Sequence, residues 1–454
     1  MLLQPISRER FAIFALLLPT GPNFDPLEEI SWWSSQTSSA VGVITLDPAT
    51  GRFGGVAMRR DVDHRFVAMP AFSGFPTVEE ALIHLGDVTR PADPPESRLP
   101  GRFRRPNLFH VRDGTTLSPG FKLLYSTRSH RPALYAVGET YFALDRPDAN
   151  FVQDFQTEGF DARIWELYLF ASFREQAIQV SQARPSPDFE LTRDGRTVFV
   201  EAVTANAESG RQQSLSRPAP APTDINERTL GAPAARFAKS LRSKMDRRYW
   251  ELAHVAGHPF ALAIGDFHLP GSMTWSLQAL QSYLYGLQVV VQRDADGTKQ
   301  AAWSLPVQHL FSAQAIPAGL FRQPEARYVS AVITSNAGTI AKFNRMGYLA
   351  GWKLPGLKME RIGIFFDYDG NRLEPRDFHF DLDDPTYQQL WPYGECWCLE
   401  MEVYHNPMAA HPIDRDFFPG ATHFFERDGE IVFEGPWKHR VPSSATTIIP
   451  RSQQ

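Results

Sequence analysis

Cysteine is nearly absent: Cys396 and Cys398 are the only two in 454 residues. A pair one residue apart cannot staple so long a chain, which excludes a disulfide-framed secreted scaffold and points to a reducing, cytoplasmic setting. Long hydrophobic runs are missing as well, since no stretch approaches the roughly 18 apolar residues of a membrane helix. The longest run near the start, Phe11 to Leu18, is followed by Pro19-Thr20-Gly21-Pro22, which lacks the small-x-small signature of a cleaved leader; it reads as a buried strand. Nor is there a surplus of positive charge: 46 Lys and Arg against 51 Asp and Glu give a net charge of -5. Any nucleic-acid partner therefore needs a local basic patch. There is no Gly-x-Ser-x-Gly elbow and no Walker Gly-Lys-Ser/Thr. The glycines between Gly347 and Gly356 lack the strand-glycine-helix order of a dinucleotide site.

What is present is the composition of a folded chain, 43% hydrophobic, 21% charged and 12% aromatic, long enough for two to four domains. Residues 1 to 150 alternate short apolar runs with turn signals such as Asp47-Pro48-Ala49-Thr50-Gly51, which predicts a meander. Thr77 with Glu80 predicts the capped start of a short helix. Together these make a small α+β module. From Asp161 to Gln176 runs a helix-forming stretch without Gly or Pro, and a domain boundary is expected before it, near residue 150. Downstream, helix and strand patterns alternate: strands at Asp188–Leu191, Thr197–Thr204, Phe260–Asp266 and Tyr328–Thr334, helices from Arg236 to His254 and near Trp275–Tyr285. That order predicts an α/β domain with a mixed sheet over residues 151–345. Its segment 205–233, rich in Pro and Ala, reads as a long loop or lid. Residues 346–454 form a C-terminal α/β extension ending in a loose tail from Ser443.

The stretch from Pro187 to Val203 carries the most chemistry. Asp194-Gly195 between two strand-like runs favours a two-residue type I′ hairpin, whose register sets Asp188 opposite Glu201. Like charges on directly opposed strand residues repel, so something positive should lie between them. Hard oxygen ligands at that spacing suit Mg²⁺ or Mn²⁺, although an acidic pair on an exposed strand face would need no ion. On the preceding helix, Glu166 falls on a largely apolar face and could complete the metal shell, or pair with Arg163 or Arg174. The helix beginning at Arg236 has six basic residues and one acidic one over its first fifteen positions. Phe237, Leu241, Met245 and Tyr249 form its core stripe, Arg242 and Arg247 point away, and Lys244 sits at the stripe's edge, where it can reach an adjacent site or snorkel to water.

This succession resembles the PD-(D/E)XK, or restriction-endonuclease-like, nuclease superfamily, over residues 155 to 270. The resemblance implies an α-β-β-β-α-β core in which Asp188 and Glu201 hold Mg²⁺ or Mn²⁺ and Glu166 assists. In that family a lysine two residues after the Glu helps activate the attacking water; Val203 stands there in this chain. Lys244 is the substitute candidate and Lys239 the second. Lys239, Arg242, Arg247 and Arg248 would contact phosphates of a nucleic acid, with DNA expected ahead of RNA. The implied function is metal-dependent phosphodiester hydrolysis in defence or DNA processing. The alternative is an inactive protein of the same fold that binds nucleic acid or a protein; homo-oligomerisation stays open. Weighed lower is a zinc site from Cys396, Cys398, His405 and His411, whose spacing is unusual. Glu395, Glu400 and Glu402 read as an acidic strand rim.

Overall fold

The computed structural model describes residues 3–18, 21–90, 93–96, 105–206, 219–293, 300–311, 315–367, 375–391 and 394–451. The N-terminal meander is a six-stranded antiparallel sheet of β1 (Leu3–Pro5), β2 (Glu28–Ser35), β3 (Ala40–Asp47), β4 (Arg52–Arg60), β5 (Phe66–Ala68) and β6 (Phe72–Phe75). Phe11 to Leu18 does not form the expected strand. Ser7 accepts a hydrogen bond from the Arg10 amide and caps helix α1 (Arg8–Ala15), whose residues Phe11, Phe14 and Ala15, with Leu18 just beyond, share one buried face at helical spacing. Thr77 caps α2 (Val78–Thr89) on the Glu80 amide, in line with its sequence signal.

Helices α3 (Pro119–Ser126), α4 (Arg131–Ala143) and α5 (Phe151–Gln156) lead into α6 (Phe160–Glu175). Then come three antiparallel strands, β7 (Gln179–Ser181), β8 (Phe189–Arg193) and β9 (Arg196–Asn206). Helices α7 (Ile225–Leu230) and α8 (Ala232–Met245) cross over to β10 (Phe260–Phe267), which pairs in parallel with β9. Helix α9 (Leu277–Tyr285), the hairpin β11 (Leu287–Arg293) and β12 (Gln300–Pro306), β13 (Ala331–Ser335) and α10 (Ile340–Leu349) follow. Next are β14 (Leu357–Asp367), β15 (Arg376–Asp381), α11 (Pro385–Gln389), β16 (Met401–His405), β17 (Thr422–Arg427), β18 (Glu430–Glu434) and β19 (His439–Pro450).

The central sheet has eight strands in the order β18-β17-β16-β13-β10-β9-β8-β7 and mixes parallel with antiparallel pairs, an α/β architecture. Its inner strands are apolar on both faces. Ala261 and Ala263 pack toward α6 in one core, while Phe260, Leu262 and Ile264 pack toward α8 and α9 in another. Covered faces are what near-continuous apolar strands require.

Three expectations about organisation need correction. The boundary at residue 345 cuts through this sheet, because β16 to β18 complete it from the C-terminal side, and Phe121, Val137 and Tyr141 from the first 150 residues join the α6 core. The 205–233 loop is shorter than composition implies: residues 207–218 lie outside the described residues, but Asp224 caps α7 and Pro233 occupies the first turn of α8, where its missing N–H is not needed. The tail from Ser443 is ordered through Pro450, because its Thr and Ile residues pair β19 antiparallel with β14. Among the described residues, no helix is long and apolar enough to cross a membrane.

Candidate active site

Asp194 and Gly195 adopt positive φ angles of 50° and 74°, the backbone a type I′ turn demands, and the ladder from Arg193↔Arg196 to Phe189↔Val200 places Asp188 across from Glu201. The two carboxylates do not simply face each other. The Ala202 amide donates to Asp188 Oδ2 at 2.7 Å, and the Asp188 amide donates to Glu201 Oε2 at 3.3 Å. Glu201 is on the α8 face of β9 between Phe199 and Val203, and only 4% exposed. Lys244 Nζ donates to its Oε1 at 2.6 Å. The Tyr249 hydroxyl donates to the same oxygen at 2.6 Å and is itself approached by Arg247 Nη1 at 3.2 Å.

Glu166 comes from the opposite layer. Its carboxylate accepts from Arg163 Nη1 at 2.8 Å and from Gln182 Nε2 at 2.8 Å, and Arg163 reaches on to Asp148 and Asp154. Burial pushes the Glu166 carboxyl up, against the pull of Arg163. Asp188 is pushed up to about 8, by burial first and then by the neighbouring charges of Glu201 and Glu166. The three carboxylates thus feel one another's charge, Glu166 paired with Arg163 and Glu201 with Lys244, but they do not bring a ligand atom each within 4.8 Å of one another, so Glu166 does not complete a metal shell with Asp188 and Glu201 as the sequence suggested.

A cleft of about 1350 Å³ opens over this group. Glu166, Asp188, Lys239, Arg242 and Lys244 line it, and Glu201 lies beneath Lys244 and Tyr249. Arg242 also donates to the Tyr283 hydroxyl at 3.2 Å and to Gln323 Oε1 at 3.0 Å, which ties α8 to α9 and the turn beyond it. Arg247 and Arg248 fall outside the lining. Helix α8 stops at Met245 rather than His254, and Arg248, left-handed at φ 51°, pairs on the surface with Glu251 at 2.6 Å. The same turn takes Tyr249 off the helical stripe and swings it onto Glu201. Sequence periodicity marked Tyr249 only as core; Arg163 and Gln182 also come to light here as partners of Glu166.

The donor set fits a hard divalent cation. Asp188 Oδ1 receives no hydrogen bond among the described residues, and Glu201 Oε2 lies on the Asp188 side of its carboxylate, so the two acids offer oxygens and no thiol or imidazole. The zinc grouping read from spacing does not assemble. His405 Nε2 bonds His423 Nδ1 at 2.8 Å, and His411 is exposed; the buried thiols of Cys396 and Cys398 lie instead with Glu175, ligand atoms within 4.8 Å of one another. Glu395 and Glu400 are no rim but fully buried, clasped by Lys342, Arg345 and Arg361. Glu402, also buried, is paired with Arg440. Comparisons of the chain with family models, curated proteins and solved structures returned no match.

Proposed function

We propose that the chain is a nuclease of the PD-(D/E)XK kind that hydrolyses phosphodiester bonds of nucleic acid with Mg²⁺ or Mn²⁺. The observation that carries this reading is Lys244, which α8 delivers to within 2.6 Å of Glu201 Oε1 beside Asp188, supplying from a neighbouring helix the cation that Val203 cannot provide. The order of α6, β7, β8, β9, α8 and β10, with β9 and β10 parallel, supports the α-β-β-β-α-β core implied by the resemblance.

In this reading Asp188 and Glu201 hold the ion, which when bound polarises a phosphoryl oxygen and lowers the pKa of water. Lys244 lies where it can steady negative charge developing at the phosphate, and a preformed cation in a poorly solvated site does this at little reorganisation cost. Arg163 keeps Glu166 oriented toward the group, while Lys239 and Arg242 hold the polyanion in the cleft.

A second reading has one observation behind it. Both oxygens of Glu201 are already engaged, Oε1 by Lys244 and Tyr249 and Oε2 by the Asp188 amide, as in a site that binds nucleic acid without cutting it. Incubation with plasmid, single-stranded DNA and RNA in Mg²⁺, Mn²⁺ or EDTA, beside Asp188→Ala, decides between them. Metal-dependent cleavage lost in the variant supports the nuclease; retention of oligonucleotide binding with no cleavage under any metal replaces it with the binding protein.

A further inference from the structure

The cleft has two unlike walls. One is a single face of α8, where Arg236, Lys239, Ser240, Ser243 and Lys244 recur at helical spacing, so that three cations share the face with two small hydroxyl side chains. Arg236 to Lys244 spans about 12 Å along the helix axis, the rise of roughly three stacked nucleotides at about 3.4 Å each. Lys239 is exposed and has no acidic partner among the described residues. In a chain whose net charge is -5, this is a local cationic track.

The other wall is apolar: Phe311, Ile316 and Pro317. Phe311 is 55% exposed, and its ring borders the cleft. Its backbone is well held. The Phe311 amide donates to Leu230 O at 2.8 Å, at the end of α7, the Leu310 amide donates to Ile316 O at 2.9 Å, and His309 bridges Pro317. An exposed aromatic ring bordering the same cleft as a row of cations is an arrangement by which proteins hold unpaired bases, the ring stacking on the base and the cations following the backbone.

We infer that the cleft takes single-stranded polynucleotide, with Phe311 as a base-stacking platform and the α8 face, Lys239 above all, as the phosphate track. This deepens the proposed function and rests on its nucleic-acid substrate, but not on cleavage. Neither sugar is selected by this geometry, so the recognised chemistry is a flexible phosphodiester strand with exposed bases.

The test is fluorescence anisotropy in EDTA with labelled oligo-dT, oligo-rU and a blunt duplex of the same length, using the full chain, Phe311→Ala, Phe311→Trp and Lys239→Ala. Wild type should bind at least one single strand more tightly than the duplex. Phe311→Ala should weaken that binding by about 5- to 100-fold, and Phe311→Trp should keep it, since any aromatic face stacks. Lys239→Ala should lower the slope of log affinity against log salt by about 0.7. Phe311 is mostly in solvent, so its variants should fold, and the tryptophan variant controls for local damage. Duplex binding as tight as the better-bound single strand, or an unchanged affinity in Phe311→Ala, overturns the inference. Metal-dependent cleavage without a Phe311 effect would discard the platform and keep the nuclease; Phe311-dependent binding without cleavage would do the reverse.

Discussion

Tyr249 and Lys244 converge on one atom: each donates to Glu201 Oε1 at 2.6 Å, one from the turn after α8 and one from its last turn. The phenol and the ammonium together hold the carboxylate in one orientation, under a lysine that is itself 22% exposed. In the proposed site Tyr249 is therefore a positioning residue, acting through Glu201.

Replacing Tyr249 by Phe removes a buried hydrogen bond to a charged acceptor and leaves the ring in its core position. The expected cost is about 1.5–3 kcal/mol of stability. Because Lys244 still balances the charge, the Mg²⁺-dependent turnover of the proposed nuclease should survive with a weakened dependence on metal concentration. A urea midpoint and a metal titration of cleavage rate check both; an unchanged midpoint would mean that the phenol adds nothing to Glu201's anchoring.

Lys244 and Lys239 lie on the same helix, yet among the described residues only Lys244 touches a carboxylate. In the proposed nuclease, Lys244→Ala should lower kcat by about 10²- to 10³-fold with little change in substrate affinity, as loss of a transition-state charge does. Lys239→Ala should do the opposite, weakening binding while kcat stays. Steady-state kinetics at two salt concentrations separates these outcomes, and equal effects at both lysines would remove the special role of Lys244.

Asp188 makes the metal-free protein sensitive to pH in a direction that can be stated. Its carboxyl is raised from an ordinary value of 3.8 to about 8 by burial, Glu201 and Glu166. Between those values the folded protein holds a proton that the unfolded chain has released, so stability without metal falls as pH rises toward 8. Asp188→Asn, an isostere that can still accept from the Ala202 amide, should remove this dependence and melt several degrees above wild type at pH 8 in EDTA. In the proposed site metal binding at Asp188 displaces the same proton, so Mg²⁺ affinity should climb up to about tenfold per pH unit between 6 and 8 and then level off. Thermal melts and calorimetry across pH measure both, and a flat profile would place Asp188 outside the coupled group.

Much of this site was legible because its determinants are local. An Asp-Gly turn sets hairpin register by its own backbone preference, so Asp188 and Glu201 could be paired without tertiary information. Lys244 could be placed from the angle it makes with Phe237, Leu241 and Met245. Tyr249 could not, because α8 ends with neither Gly nor Pro to mark the end, and Arg248 takes a left-handed backbone that arginine seldom adopts. Phe11 to Leu18 was misread because an eight-residue apolar run fits a strand as well as a helix, and the deciding cap, Ser7, lies just outside it. Glu395 and Glu400 were misread because their counterions lie 34 to 58 residues earlier in the chain, beyond any sequence window.

That buried cluster is the main candidate for acid sensitivity below pH 4.5. Burial alone would raise Glu395 and Glu400, but Lys342, Arg345 and Arg361 override it, holding Glu395 well below the usual carboxylate range and lowering Glu400 as well. Their stabilising contribution is present above the unfolded value of 4.5 and is lost as pH falls below it. Removing one member exposes the remaining charges to the low dielectric around them: Lys342→Met should cost about 3–5 kcal/mol at neutral pH, more than any single change on the cleft wall. Chemical denaturation compares the two, and a cost below 1 kcal/mol would show that the two arginines suffice.

A second acid response should begin at higher pH. His405 and His423 are buried against each other; His423 Nε2 donates to the Phe418 carbonyl at 3.0 Å and its Nδ1 accepts from His405 Nε2 at 2.8 Å, which requires a neutral His423, while burial disfavours charge on His405. Burial, helped at His405 by its histidine neighbour, lowers His405 to about 3; burial also brings His423 to about 4. The unfolded chain protonates both near 6.5, so it gains protons that the folded protein refuses, and stability falls as pH drops from 6.5 toward 4. The slope should reach about 1.4 kcal/mol per pH unit for each histidine. His405→Asn with His423→Asn should flatten the stability curve over that interval while leaving the loss below 4.5, which belongs to the carboxylates. Denaturation midpoints at half-unit steps from pH 7 to pH 4 would resolve the two windows, and a double variant that keeps the wild-type slope would assign the acid response to other groups.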